Sequence, residues 1–96
     1  MQLNINTQAT NGQLILYVIN NSGATILTLR DTDNGSCLIV PGYTYRFEWH
    51  TWSPQGADYA INANTDPVNP GFPPFSFSKS YPGPSSDMGG FYFTLN

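Results

Sequence analysis

Charge is what this sequence has least of. Three Lys and Arg side chains stand against six Asp and Glu in 96 residues, with no basic cluster. The counterion release that holds nucleic acid is therefore missing, as is the polybasic patch that holds an anionic membrane surface. Cysteine is as scarce: Cys37 stands alone, cannot close an internal disulfide, and reads as a small buried hydrophobe. No stretch approaches the length of a membrane span, and the N-terminus lacks the charged start and apolar run of a signal peptide. Neither nucleic acid nor membrane insertion is expected; the extracellular space or a cell surface is the favoured compartment.

Histidine occurs once, as His50, which limits catalysis. A triad of His50 with Asp58 or Glu48 and Ser53 has no strained nucleophile turn to mark it. The carboxylate pairs Asp31/Asp33 and Glu48/Asp58 would nominally suit glycoside hydrolysis, but a sandwich of this size has little room for a cleft. DTDNGS opens like a calcium loop, yet Gly35 falls at position five where that loop needs glycine at six. No enzyme is expected.

What is present is alternation. Apolar and polar residues alternate almost from end to end, and no segment holds a helical period. Candidate strands are residues 2–8, 13–20, 24–30, 36–40, 43–49, 58–64, 75–81 and 90–95. Turn signals separate them: Asn11-Gly12, Asn20 to Gly23, Asp33 to Ser36, Pro41-Gly42, Pro54 to Gly56, the Pro-rich run 67–74, and 82–90. Asn34-Gly35 is the strongest hairpin signal, because both residues tolerate positive φ. About eight short strands at this spacing read as one antiparallel β-sandwich over residues 1–96, of jelly-roll or immunoglobulin/cupredoxin-like type. No internal repeat is detectable.

The densest aromatic stretch is YTYRFEWHTW, residues 43–52. On a strand, Tyr43, Tyr45, Phe47 and Trp49 share one face, while Arg46, Glu48, His50 and Trp52 share the other. The first set reads as core, and Trp52 as an exposed exception. DYAINANTD repeats the alternation, and joining the two as a hairpin across Ser53 to Ala57 pairs Trp49 with Ile61 inside and Glu48 with Asn62 outside. That register gathers Trp52, His50, Asp58, Asn62 and Asn64 on one surface, with Asp87 arriving from the last loop. A ring beside amides and carboxylates suits a sugar, whose C–H face stacks while its hydroxyls hydrogen-bond. Asp58, Asp66 and Asp87 would form an oxygen site for a cation if their three segments converged. Ile15, Tyr17, Ile19 and Ile26 make a second apolar face opposite Leu14, Leu16, Leu27 and Leu29, a candidate interface for a homo-oligomer.

Two stretches carry a family resemblance. IVPGYTYRFEWHTWSP and the later SSDMGGFYFTLN resemble the soluble bacterial calcium-dependent galactose-binding lectins, over about a third of the chain. The resemblance implies that the Trp52 backbone carbonyl helps hold calcium, and that Ser86 and Asp87 in a terminal loop contribute metal and sugar contacts. SKSYPGPSSDMGGFYFTL resembles the cupredoxin sandwich in fold alone, since Tyr81 and Pro84 stand where copper ligands are needed. Together these readings point to a non-enzymatic, lectin-like carbohydrate-binding module. The alternative is a structural subunit of a virion or extracellular assembly, using the apolar face.

Overall fold

A computed structural model describes residues 1–96. Its eight strands are β1 (Gln2–Thr10), β2 (Gln13–Ile19), β3 (Thr25–Arg30), β4 (Asp33–Leu38), β5 (Thr44–Ser53), β6 (Ala57–Asp66), β7 (Phe75–Tyr81) and β8 (Ser85–Thr94). They form two antiparallel sheets ordered β4-β1-β6-β7 and β3-β2-β5-β8. The chain is an all-β sandwich, as its alternation requires. No helix is long and apolar enough to cross a membrane.

The topology carries a symmetry that the sequence hides. In the first half β1 pairs β4 and β2 pairs β3; in the second β5 pairs β8 and β6 pairs β7, with the sheets exchanged. The halves meet at the centre of each sheet through β1 with β6 and β2 with β5. Strands β1 and β6 turn Leu3, Ile5, Tyr59, Ile61 and Ala63 inward, and β2 and β5 answer with Leu14, Leu16, Val18, Tyr45 and Phe47. Phe47 is fully buried. Its ring stacks on Phe91 of β8 at 5.0 Å and meets Phe75 of β7 edge-on at 5.5 Å.

Two turn readings are corrected. Asn34-Gly35 lies inside β4, opposite Asn6 and Ile5, and the chain turns instead at Asp31, whose φ is 58°. Asp31 fixes that crossing: its side chain accepts the Leu14 N–H (3.0 Å), its own N–H donates to the Leu14 carbonyl, and its carbonyl accepts the buried Thr7 hydroxyl (2.7 Å). Gly35 serves packing, since a Cβ there would stand 2.6 Å from Leu29 Cδ2. The last strand starts at Ser85 rather than Gly90, so the expected long final loop contracts to Pro82–Pro84.

The Pro-rich run 67–74 closes the core. Buried Asn69 organises it, donating its N–H to Thr65 Oγ1 (3.1 Å) and its Nδ2 to the Asn96 carbonyl (3.1 Å), while its Oδ1 accepts the Gly71 N–H (2.8 Å). The fold so anchored sends Phe72 inward against Phe93 at 4.8 Å. Cys37, on the inner side of β4, is pushed up to about 11 by burial; its thiol stays protonated near neutrality.

Gly89 tests this packing. Its missing side chain leaves room for the Trp49 indole, whose Cζ2 would lie 2.4 Å from an added Cβ. Gly89→Ala should force that ring out of its aromatic contacts with Phe75, Phe77 and Phe91 and cost about 1–3 kcal/mol. Denaturant unfolding and Trp fluorescence check both effects.

Candidate functional site

Strand alternation settles which side chains face out, and the sheet order settles where they meet. On the outer side of the β3-β2-β5-β8 sheet, neighbouring strands align four rows: Gln13–Trp52–Ser86, Ile15–His50–Met88, Tyr17–Glu48–Gly90 and Ile19–Arg46–Tyr92. Trp52, Met88 and Tyr92 stand 51%, 58% and 72% exposed. Between the two exposed rings runs a charged line. Glu48 accepts from His50 Nε2 at 3.1 Å and from Arg46 Nε at 3.4 Å, while the Arg46 guanidinium lies 4.9 Å from the centre of the Tyr92 ring. Gly90 makes this possible: a Cβ there would stand 2.9 Å from Arg46 Nη2. The His50 hydrogen bond, with Arg46 beside it, holds the Glu48 carboxyl below its usual range, so it is an acceptor at neutral pH.

Depressions lie at both ends of this strip. One of about 400 Å³ is bounded by Ile19, Asn21, Thr44, Arg46, Glu48 and Tyr92. The other, about 160 Å³, is bounded by Ile15, His50, Trp52, Ser86 and Asp87. Six positions along β5 separate Trp52 from Arg46, opposite Tyr92, or about 20 Å at about 3.4 Å per residue. The strip can stack a ring at either end and hydrogen-bond hydroxyls between them.

The expected site does not assemble as one surface. Residues 43–66 do not make a hairpin: β5 and β6 belong to different sheets, joined by a corner at Pro54–Gly56. Trp52 and His50 face out from one side of the sandwich, and Asp58, Asn62 and Asn64 from the other. The inward sets Phe47/Trp49 and Ile61/Ala63 still share a core, but across the sandwich rather than side by side, which sends their polar partners apart. Ser53, also considered with His50, is buried and donates its hydroxyl to the Asn11 carbonyl (2.9 Å).

Asp87 reaches the Trp52 end of the strip, where it bounds the smaller depression with His50, Trp52 and Ser86. It sits in the row of buried Thr51 and accepts the Tyr81 hydroxyl at 2.6 Å, bridging the edge strands β7 and β8 of the two sheets. The cation set Asp58, Asp66 and Asp87 does not converge: Asp58 and Asp66 lie at opposite ends of β6, and Asp58 is hydrogen-bonded by Ser80 (2.6 Å). No three ligating side chains cluster anywhere in the structure. The Trp52 carbonyl, the calcium contact implied by the lectin resemblance, accepts the Tyr59 hydroxyl at 3.1 Å instead.

The apolar set also divides. Ile15, Tyr17 and Ile19 lie half-buried on the outer strip. Ile26 is taken up in a bulge, where the register shifts from Val18↔Leu27 to Ile19↔Thr25, and it packs against the core. Tyr92 and Met88 were not among the expected site residues. Tyr92 was legible, because it alternates with Phe91 and Phe93 and must face away from both. Met88 needed the strand to begin at Ser85.

No protein-family model, curated protein or solved structure matches this chain.

The edge bridge has a pH consequence. The Tyr81 hydroxyl foremost, then the Met88 N–H, holds the Asp87 carboxyl below its usual range, and the same bond raises Tyr81. A carboxyl depressed by folding favours the native state above its unfolded pKa, and that contribution is lost as pH falls through the native value. Tyr81→Phe should raise the Asp87 pKa toward its ordinary value and flatten the acid limb of the stability profile. An NMR titration of the Asp87 carboxyl reads the first, and melts across the acid range the second.

Proposed function

We propose that this protein is a non-enzymatic carbohydrate-binding module that takes its glycan along the outer strip of the β3-β2-β5-β8 sheet. The observation that carries this reading is the pair of exposed rings, Trp52 and Tyr92, set at the ends of a line of hydrogen-bonding groups on a rigid sheet. Sugar rings present apolar C–H faces to aromatic side chains, and their hydroxyls need the donors and acceptors that Arg46, Glu48, His50 and Asn21 supply. A separation of about 20 Å favours an extended oligosaccharide over a single sugar. The low charge of the chain agrees with a neutral ligand. This site keeps Trp52, His50 and Asp87 together with Arg46 and Glu48 of the expected polar surface, loses Asp58, Asn62 and Asn64 to the opposite face, and gains Tyr92. It uses no calcium.

Self-assembly through the same strip is the second reading, supported by Ile15, Tyr17, Ile19 and Met88. The linked Arg46, Glu48 and His50 in their midst weigh against it, since burying that group between copies would desolvate three ionisable side chains.

A glycan array should return hits for neutral oligosaccharides. Trp52→Ala should weaken them about tenfold or more, the worth of one lost stacking contact, with little change in melting temperature because the indole is half in water. An array without hits, together with a light-scattering mass that Ile15→Asp reduces to the monomer, would replace the glycan reading with assembly.

A further inference from the structure

The other outer face, β4-β1-β6-β7, is built of amides. Register places Ser36, Asn4 and Asn64 in one row and Asn34, Asn6 and Asn62 in the next, roughly 4.8 Å apart across strands and roughly 6.8 Å along them. Together they bound the largest depression on the molecule, about 470 Å³, floored by Ile5 and Gly35. Asparagine is depleted in strands because its side chain competes with the backbone ladder, yet five stand on three adjacent strands. Cross-strand hydrogen bonds use only part of their capacity. Asn6 Nδ2 donates to Asn34 Oδ1, Asn4 Nδ2 to Asn64 Oδ1 (3.4 Å), and Ser76 Oγ to Asn62 Oδ1 (3.0 Å). The side-chain Nδ2 groups of Asn34, Asn62 and Asn64 donate to nothing in the chain, and Asn6 Oδ1 accepts from nothing.

No ionisable side chain lines this depression, so it offers no countercharge to a phosphate and no carboxylate to a cation. No large exposed apolar side chain lines it either, so nothing draws in a hydrophobic segment. What is left is a fixed array of neutral donors and acceptors, and its complement is a neutral ligand dense in hydroxyls. We propose that this amide grid is a second glycan site, one that binds by hydrogen bonds without stacking. The inference shares the ligand class of the proposed function but rests on different residues. The two sites face away from each other across the sandwich, so no single short oligosaccharide fills both. One monomer would join two glycan chains.

The test uses the full ¹⁵N-labelled chain, titrated with neutral gluco-, manno-, galacto- and xylo-hexaoses, with glycerol as the simple polyol control. Readouts are the side-chain amide resonances of the five asparagines and the Trp52 indole N–H. Saturable shifts of the Asn34, Asn62 and Asn64 amides with at least one hexaose are expected. The double change Asn6→Ala, Asn62→Ala should weaken that response about tenfold, with Asn62→Ser as the milder variant should the double one not fold. Shifts confined to Trp52 would support the aromatic strip and overturn the grid; shifts confined to the amides would do the reverse. Equal amide shifts with glycerol at matched hydroxyl concentration would overturn the proposal by reducing the grid to solvated surface. Amide shifts on concentrating the protein alone would overturn it by making the face a contact between copies.

Discussion

The structure hangs on the burial of the Phe47 ring. Both sheets and the Pro-rich connection converge there: Phe91 stacks on it within its own sheet, Phe75 reaches it from the opposite one, and Phe72 from the loop at 6.0 Å. Large rings are how a short chain buries enough apolar surface to offset its ordering entropy. With no disulfide available, this aromatic cluster does what a covalent staple does in other small domains. Three of the polar side chains it traps are given partners: Thr7 by the turn at Asp31, Ser53 by the corner after β5, Asn69 by the last residues of the chain; the buried Ser85 hydroxyl has none.

That core dictates the two outer surfaces. Every residue sent inward at one position sends its neighbours outward, so the identity of the core rows fixes the composition of the faces. One face inherits Trp52, Tyr92 and the Arg46–Glu48–His50 group; the other inherits asparagines, glutamines and serines. A chain with few charges keeps both faces wet through hydrogen bonds rather than ionic hydration. Such surfaces match neutral, hydroxyl-rich ligands better than charged ones.

The glycines mark where the sheets and side chains approach most closely. Gly35 admits Leu29, Gly89 admits the Trp49 indole, and Gly90 admits the Arg46 guanidinium. The first two tighten the core at opposite edges of the sandwich, while the third shapes the ligand strip. The aromatic strip and the core are thus coupled through adjacent residues of β8.

Sequence by itself determined the periodic part of this protein. Period-two alternation gave the all-β class, the eight strands and the inward set, because a strand must turn successive side chains to opposite sides; Tyr43, expected in that set, is half exposed because β5 begins only at Thr44. Asn4 and Asn6 between Leu3 and Ile5, or Tyr92 between two phenylalanines, needed no coordinates. Only the tertiary structure decided which strands are neighbours. The pattern around Phe47 and Ile61 is satisfied equally by a hairpin within one sheet and by a corner between two, since both bury the same side chains. The choice depends on packing among residues far apart in the chain, and it is this choice that parts Trp52 from Asn62 and brings Asn62 beside Asn6.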